Sequence, residues 1–283
     1  MKRKIKLAIS TCPNDTFAFH GLLNNQVDTR GLDFSIELLD IQQLNDGLFA
    51  NRFDVAKASF HAALLLAEDT VVLPSCSALG FGVGPLLLAS QAETSPESMT
   101  SSLTLCPGAH TTATMLFRLF YGNRPQVEHR VFSEIMPKLI QQQADFGVCI
   151  HEGRFTWQDQ GLFLVEDLGT RWETATQTPL PLGGILASRK LEPQTIATVQ
   201  STIRDSLELA LANPESAIPT MSQHAQEFDE EVLMKHVQLY VNDWTVDLGP
   251  TGAAALKELS HRARSVGLIA QDAAEIELFQ GAK

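Results

Sequence analysis

Apolar residues at 5–9 give way to the polar run Ser10-Thr11-Cys12-Pro13-Asn14-Asp15, and a helix-like stretch follows from 16 to 23. The pattern predicts strand, turn, helix. Residues 34–38 alternate polar and apolar and read as a second strand. A helix is expected around 41–50, and a third strand over 53–59 ending in Lys57-Ala58-Ser59. Strands alternating with helices predict an α/β fold with a largely parallel sheet.

The same plan returns mid-chain. Residues 103–106 read as a strand, Pro107-Gly108-Ala109-His110-Thr111-Thr112 as a turn, and 113–120 as a helix. A short strand at Val131-Phe132, a helix over 135–143 and a strand over 144–151 complete it. Phe53-Asp54-Val55-Ala56 matches Ala144-Asp145-Phe146-Gly147 in place and character, and Leu87-Leu88-Ala89-Ser90 echoes Ile185-Leu186-Ala187-Ser188. Two similarly built lobes are expected: a larger discontinuous one of residues 1–90 plus 185–283, and an inserted one of residues 91–184. Paired crossovers near Ser90 and Gly184 would form a hinge around a central ligand cleft. Three- and four-residue apolar steps from Ile196 to Ala210 predict a helix stopped by Asn213-Pro214. Another is expected after an Asp229 cap, with His236 on its buried face, and a last one over 253–266.

Composition narrows the function. The 283 residues carry a formal net charge of −12, the opposite of what phosphate backbones attract, so no nucleic-acid partner is expected. The apolar stretch after Lys6 is only Leu7-Ala8-Ile9, too short for an export signal, and no run suits a membrane span; a cytoplasmic protein is expected. The four cysteines show no CxxC pair and the eight histidines no ligand spacing, so no metal is expected, and no motif calls for an organic cofactor. Oligomeric state is not legible.

Chemistry concentrates at strand ends. The strand over 146–150 runs into His151-Glu152-Gly153. Imidazole titrates near neutrality, and ligands of open α/β sheets bind at the carboxyl ends of strands, so His151 is the candidate proton acceptor, a structural histidine bonded to a backbone carbonyl being the alternative. Alternation puts Lys57 and Ser59 on one strand face, suited to an anionic, oxygen-rich ligand, the alternative being a Lys57 that lies on the surface. Gly108-Ala109-His110-Thr111-Thr112 opens a helix, where free N–H groups suit a carboxylate or phosphate, although capping by Thr111 or Thr112 fits equally. Asn14 and Asp15 hold the equivalent place in the first lobe, as caps or as cleft residues. Gly80-Phe81-Gly82-Val83-Gly84 precedes a strand, not a helix, and is no dinucleotide fingerprint.

Together, Ser10-Thr11-Cys12-Pro13-Asn14-Asp15-Thr16-Phe17, Lys57-Ala58-Ser59, Ala78-Leu79-Gly80-Phe81-Gly82-Val83-Gly84-Pro85, Gly108-Ala109-His110-Thr111-Thr112, Ile150-His151-Glu152-Gly153-Arg154-Phe155-Thr156, Pro179-Leu180-Pro181-Leu182-Gly183 and Tyr240-Val241-Asn242 resemble the 1,4-dihydroxy-6-naphthoate synthase family of menaquinone biosynthesis, futalosine route. The resemblance implies a type II periplasmic-binding-protein-like fold and a carbon–carbon lyase acting on cyclic dehypoxanthinyl futalosine. It implies His151 as proton acceptor, with Lys57, Ala58, Ser59, Thr111 and Thr112 holding a small anionic substrate. A solute-binding protein of the same fold, or a related enzyme such as chorismate dehydratase, is the alternative.

Overall fold

The computed structural model describes residues 2–92, 102–123, 125–150, 153–225 and 229–281. The first five strands are β1 (Arg3–Ser10), β2 (Leu32–Leu39), β3 (Val55–Ser59), β4 (Thr70–Val72) and β5 (Ala78–Gly80). The next five form a second sheet: β6 (Leu86–Ala89), β7 (Leu103–Cys106), β8 (Gln126–His129), β9 (Phe146–Cys149) and β10 (Phe163–Asp167). β11 (Leu180–Ser188) returns to the first. The sheet orders are β2-β1-β3-β11-β4 and β8-β7-β9-β6-β10, with β5 pairing β11 off the path. One strand order thus serves both halves. The sequence echoes fall at matching places, since β3 lies beside β11 and β9 beside β6 (Ala56 opposite Leu186, Gly147 opposite Leu88).

Two expectations change. Sheet membership puts Leu86–Ala89 in the second lobe and Leu180–Ser188 in the first, so the crossovers lie at residues 81–85 and 177–179. The sheets are also mixed. β1, β2 and β3 are parallel, as are β7, β8 and β9, but β11 and β6 run antiparallel to their neighbours. A strand arriving from the other lobe enters the sheet from the opposite end, and periodicity carries no trace of that route.

The first-lobe helices begin with α1 (Pro13–Ala18), α2 (His20–Leu23), α3 (Ile41–Phe49) and α4 (Phe60–Leu65). The second lobe has α5 (Thr112–Tyr121), α6 (Phe132–Ile140), α7 (Gly153–Thr156) and α8 (Leu168–Thr176). Then come α9 (Pro193–Ala212), α10 (Ile218–His224), α11 (Glu230–Tyr240), α12 (Asp243–Val246) and α13 (Gly249–Ser265). The strand expected at Val131-Phe132 is instead the start of α6, with the strand itself at Gln126–His129. Phe132 belongs to a helix whose buried residues are Ile135, Met136 and Leu139. Asp229 does cap α11, accepting from the N–H groups of Glu231 and Val232. Apolar clusters lie on both faces of the first sheet: Ile5, Leu7, Ile9, Phe17 and Val55 on one side, Leu44, Ala56, Ala58 and Phe60 on the other. Each such fully buried large side chain contributes roughly 1.5–3 kcal/mol. Among the described residues no helix is long and apolar enough to cross a membrane.

The first crossover meets the start of α8 at bare backbone. A Cβ on Gly84 would lie 2.2 Å from Gly169 Cα and 2.4 Å from its nitrogen. Gly84→Ala must therefore push the main chains of Gly84 and Gly169 apart, and a loss of about 3 kcal/mol is expected by urea unfolding. Gly82, with φ +69° and nothing within 4 Å of its would-be Cβ, is the control: alanine there brings only left-handed strain, about 1 kcal/mol. Equal losses at the two sites would contradict the close approach.

Candidate active site in the interlobe cleft

The cleft measures about 680 Å³ including its solvent-open mouth, within the range of small-molecule sites. The carboxyl ends of β1 and β3 supply Ser10 and Ser59. The segments following β7 and β9 supply Thr111, Thr112 and Ile150. Asn14, Asp15 and Lys57 also line it, so among the described residues every sequence-predicted site residue but Ala58 is brought together. Ala58 is fully buried with its side chain in the apolar cluster, because alternation turns it away from Lys57 and Ser59. His151 lies outside the described residues, as does Glu152. Ile150, immediately before them, lines the cleft.

Lys57 is no free surface cation. Its Nζ donates to Asp15 Oδ1 at 2.6 Å and to the Cys76 carbonyl at 3.1 Å, and both side chains of the ion pair are almost wholly buried. Cys76 adopts φ +64°, a left-handed conformation uncommon outside glycine. The pair is self-neutralising, so the cleft floor is polar without a net charge. Ser59 is held by a residue that the sequence pattern did not reveal. Asn45 of α3 accepts from Ser59 N–H at 3.0 Å and donates to Ser59 Oγ at 3.2 Å. The same amide reaches the His110 carbonyl of the second lobe at 3.4 Å.

The hydroxyls of Thr111 and Thr112 both bond to protein groups. Thr111 is the N-cap of α5, its Oγ1 accepting from Thr114 N–H and donating to the Gly108 carbonyl. Thr112 Oγ1 donates to the Leu182 carbonyl at 2.6 Å and accepts from His61 N–H at 3.4 Å, bridging the lobes. The first intrahelical bond runs from Met115 N–H to Thr111 O. The N–H groups of Thr112 and Ala113, which precede it beside the cleft, are therefore the donors left for an anion.

His61 packs under this seam. Burial first, then the neighbouring His110, lowers its pKa to about 4, against a hydrogen bond to the Thr111 backbone that raises it. The ring is neutral at pH 7. The unfolded chain takes up its proton near pH 6.5 and the folded one only near 4, so stability rises with pH across that window and is lost as pH falls through it. The loss attributable to His61 is about 3 kcal/mol. His61→Leu should flatten the pH dependence of urea unfolding between pH 6.5 and 4; an unchanged slope would refute the assignment.

On the far side of residues 151–152, Arg154 anchors the chain. Its guanidinium donates to the Gly84 carbonyl at 2.6 Å and to Asp167 at 2.7 Å, while Asp167 caps α8. Two further cleft residues come from α11: His236, expected as a core residue, and Tyr240. Helical periodicity marked that face as buried, but a wall of a cleft and a face of the core share one pattern. Among the described residues no group of three or more His, Cys, Asp or Glu side chains is placed to hold a metal.

Known proteins resemble this chain in sequence and in fold. A family model described as menaquinone biosynthesis matches residues 5–265. A Thermus thermophilus protein named 1,4-dihydroxy-6-naphtoate synthase is 38% identical over 94% of this chain and 96% of its own length. A crystal structure of an Archaeoglobus fulgidus protein superposes with a TM-score of 0.86 at 31% identity, covering 94% of this chain and 98% of the other. The periplasmic aliphatic sulphonate-binding protein of Escherichia coli, 12% identical, superposes with a TM-score of 0.65 over 96% of both chains, a likeness of fold alone.

Proposed function

The chain belongs to the menaquinone biosynthesis family, and from that premise we propose that it is a lyase forming 1,4-dihydroxy-6-naphthoate from cyclic dehypoxanthinyl futalosine, releasing the three-carbon remnant of the sugar. The observation that carries this reading is one cavity lined by Ser59 from the first sheet, Thr112 and Ala113 from the second lobe, and Ile150 next to His151.

In this mechanism neutral His151 removes the acidic proton beside the substrate's ring ketone. Carbon–oxygen and carbon–carbon bonds then break in an elimination and retro-aldol-like sequence, driven by aromatisation of the naphthalene. The N–H groups of Thr112 and Ala113 receive the carboxylate, and the positive end of α5 favours its charge. Ser59 Oγ, oriented by Asn45, hydrogen-bonds the substrate from the opposite wall. Ile41, Val83, Pro85 and Leu182 supply apolar surface for the planar rings.

A solute-binding protein is the competing reading, favoured by the fold shared with a sulphonate binder. Purified protein incubated with cyclic dehypoxanthinyl futalosine should form naphthoate in many equivalents per protein, followed by absorbance. With chorismate it should form none. Tight binding of substrate without product would favour the solute binder, and turnover of chorismate the related dehydratase.

A further inference from the structure

Two backbone groups, one from each lobe, fix the direction of the Asn45 amide. Ser59 N–H only donates and lies 3.0 Å from Asn45 Oδ1, while the His110 carbonyl only accepts and lies 3.4 Å from Nδ2. A flipped amide would set donor against donor at Ser59 and acceptor against acceptor at His110. Asn45 is fully buried, so water does not compete for it. With the amide so directed, Nδ2 meets Ser59 Oγ at 3.2 Å, and the hydroxyl must accept there. The hydroxyl's own hydrogen is left over. Among the described residues it meets no acceptor, and Ser59 lines the cleft. Ser59 therefore has a hydrogen to offer a ligand.

This donor belongs to the wall opposite the second lobe's strand ends. β3 and β9 hold the same place in the two sheet orders. Ser59 ends β3, Ile150 follows β9, and both line one cavity, with His151 next in sequence. We infer that Ser59 donates a hydrogen bond to the substrate's ring-ketone oxygen, where negative charge forms as His151 takes the neighbouring proton, and that Asn45 is the positioning residue that keeps Ser59 a donor. The proton passes to the imidazole, the carbon–hydrogen electron pair enters the enolate, and Ser59 keeps its own proton throughout. Polarity selects the ketone. The carboxylate has the N–H groups at the start of α5. A sugar hydroxyl both donates and accepts, and needs no partner of fixed polarity. A ketone oxygen only accepts, and a preorganised donor counts most where charge develops.

The inference rests on the proposed reaction, and its first test needs no substrate. A neutron structure of the deuterated free protein should show the Asn45 amide deuteriums toward Ser59 Oγ and the His110 carbonyl. The Ser59 hydroxyl deuterium should point into the cleft. A hydroxyl deuterium directed at Asn45 would overturn the assigned polarity.

Kinetics test the role. Ser59→Ala, confirmed as folded by its melting curve, should lower kcat about 10²-fold, the worth of one oxyanion donor, with KM within about threefold. Asn45→Ala keeps the hydroxyl but frees it to rotate, and kcat should fall about tenfold. The double variant should be no slower than Ser59→Ala, because Asn45 acts through Ser59. A loss confined to KM would remove Ser59 from the ketone. A further loss of about tenfold in the double variant would make Asn45 independent of Ser59 and end its positioning role. Absence of turnover in the native protein would instead refute the reaction and leave the neutron measurement standing. If Asn45→Ala does not fold, the neutron structure decides the polarity and Ser59→Ala the role.

Discussion

Replacing His151 with alanine is expected to lower kcat by about 10²–10⁴-fold, the usual worth of a positioned general base. Substrate binding should persist, because the residues assigned to binding lie elsewhere: Ser59 at the end of β3, and the N–H groups of Thr112 and Ala113 at the start of α5. The variant should therefore hold substrate with a Kd close to the native KM while forming almost no naphthoate. Steady-state kinetics and calorimetric titration check the two halves separately. Near-native kcat would remove His151 from the mechanism. Loss of binding together with kcat would make it a substrate contact instead of a base. The catalytic bell should also lose its acidic limb in the variant, since a base must be deprotonated to act.

The second large effect concerns stability. Lys57→Met leaves Asp15 buried without its ammonium, and the expected cost is about 3–5 kcal/mol, measured by urea unfolding. The double variant Lys57→Met with Asp15→Leu should recover much of that loss, because replacing a whole buried ion pair by apolar groups is often neutral. A single variant as stable as the native protein would mean that solvent already compensates the pair, against its 2.6 Å separation and near-complete burial. The contrast also bears on function. If the pair serves only the fold, the double variant should be active.

What the chain disclosed in advance depended on range. β1, β3, β7 and β9 were legible because each is an apolar run bounded by turn residues, and β7 was placed to the residue. The repeat of the two halves was legible as short echoes, and the shared strand order explains them. The antiparallel arrival of β6 and β11 was not, because a strand's neighbours are set by the path of the whole chain. β8 escaped because it is half exposed and mostly polar, leaving the apolar pair Val131-Phe132 as the stronger local signal.

The same limit applied to the site. Alternation correctly put Lys57 and Ser59 on one face, but not that the ammonium would be buried against a carboxylate 42 positions away. Asn45 gave no signal, since a polar residue on a helix reads as solvated until Ser59 is seen beneath it. His236 lies on the buried face its periodicity predicted, and only the second lobe turns part of that face into a cleft wall. Thr111 and Thr112 were legible as a helix start. That their hydroxyls serve the cap and the lobe seam follows only from the positions of Gly108 and Leu182.

The proposed chemistry requires substrate to lie between the lobes with its reacting carbon beside residue 151. A crystal structure of His151→Ala with cyclic dehypoxanthinyl futalosine bound would decide the matter. The carboxylate should sit on the N–H groups of Thr112 and Ala113, and the rings between Val83 and Leu182. Substrate bound outside the cleft, or with its acidic carbon turned away from position 151, would contradict the mechanism.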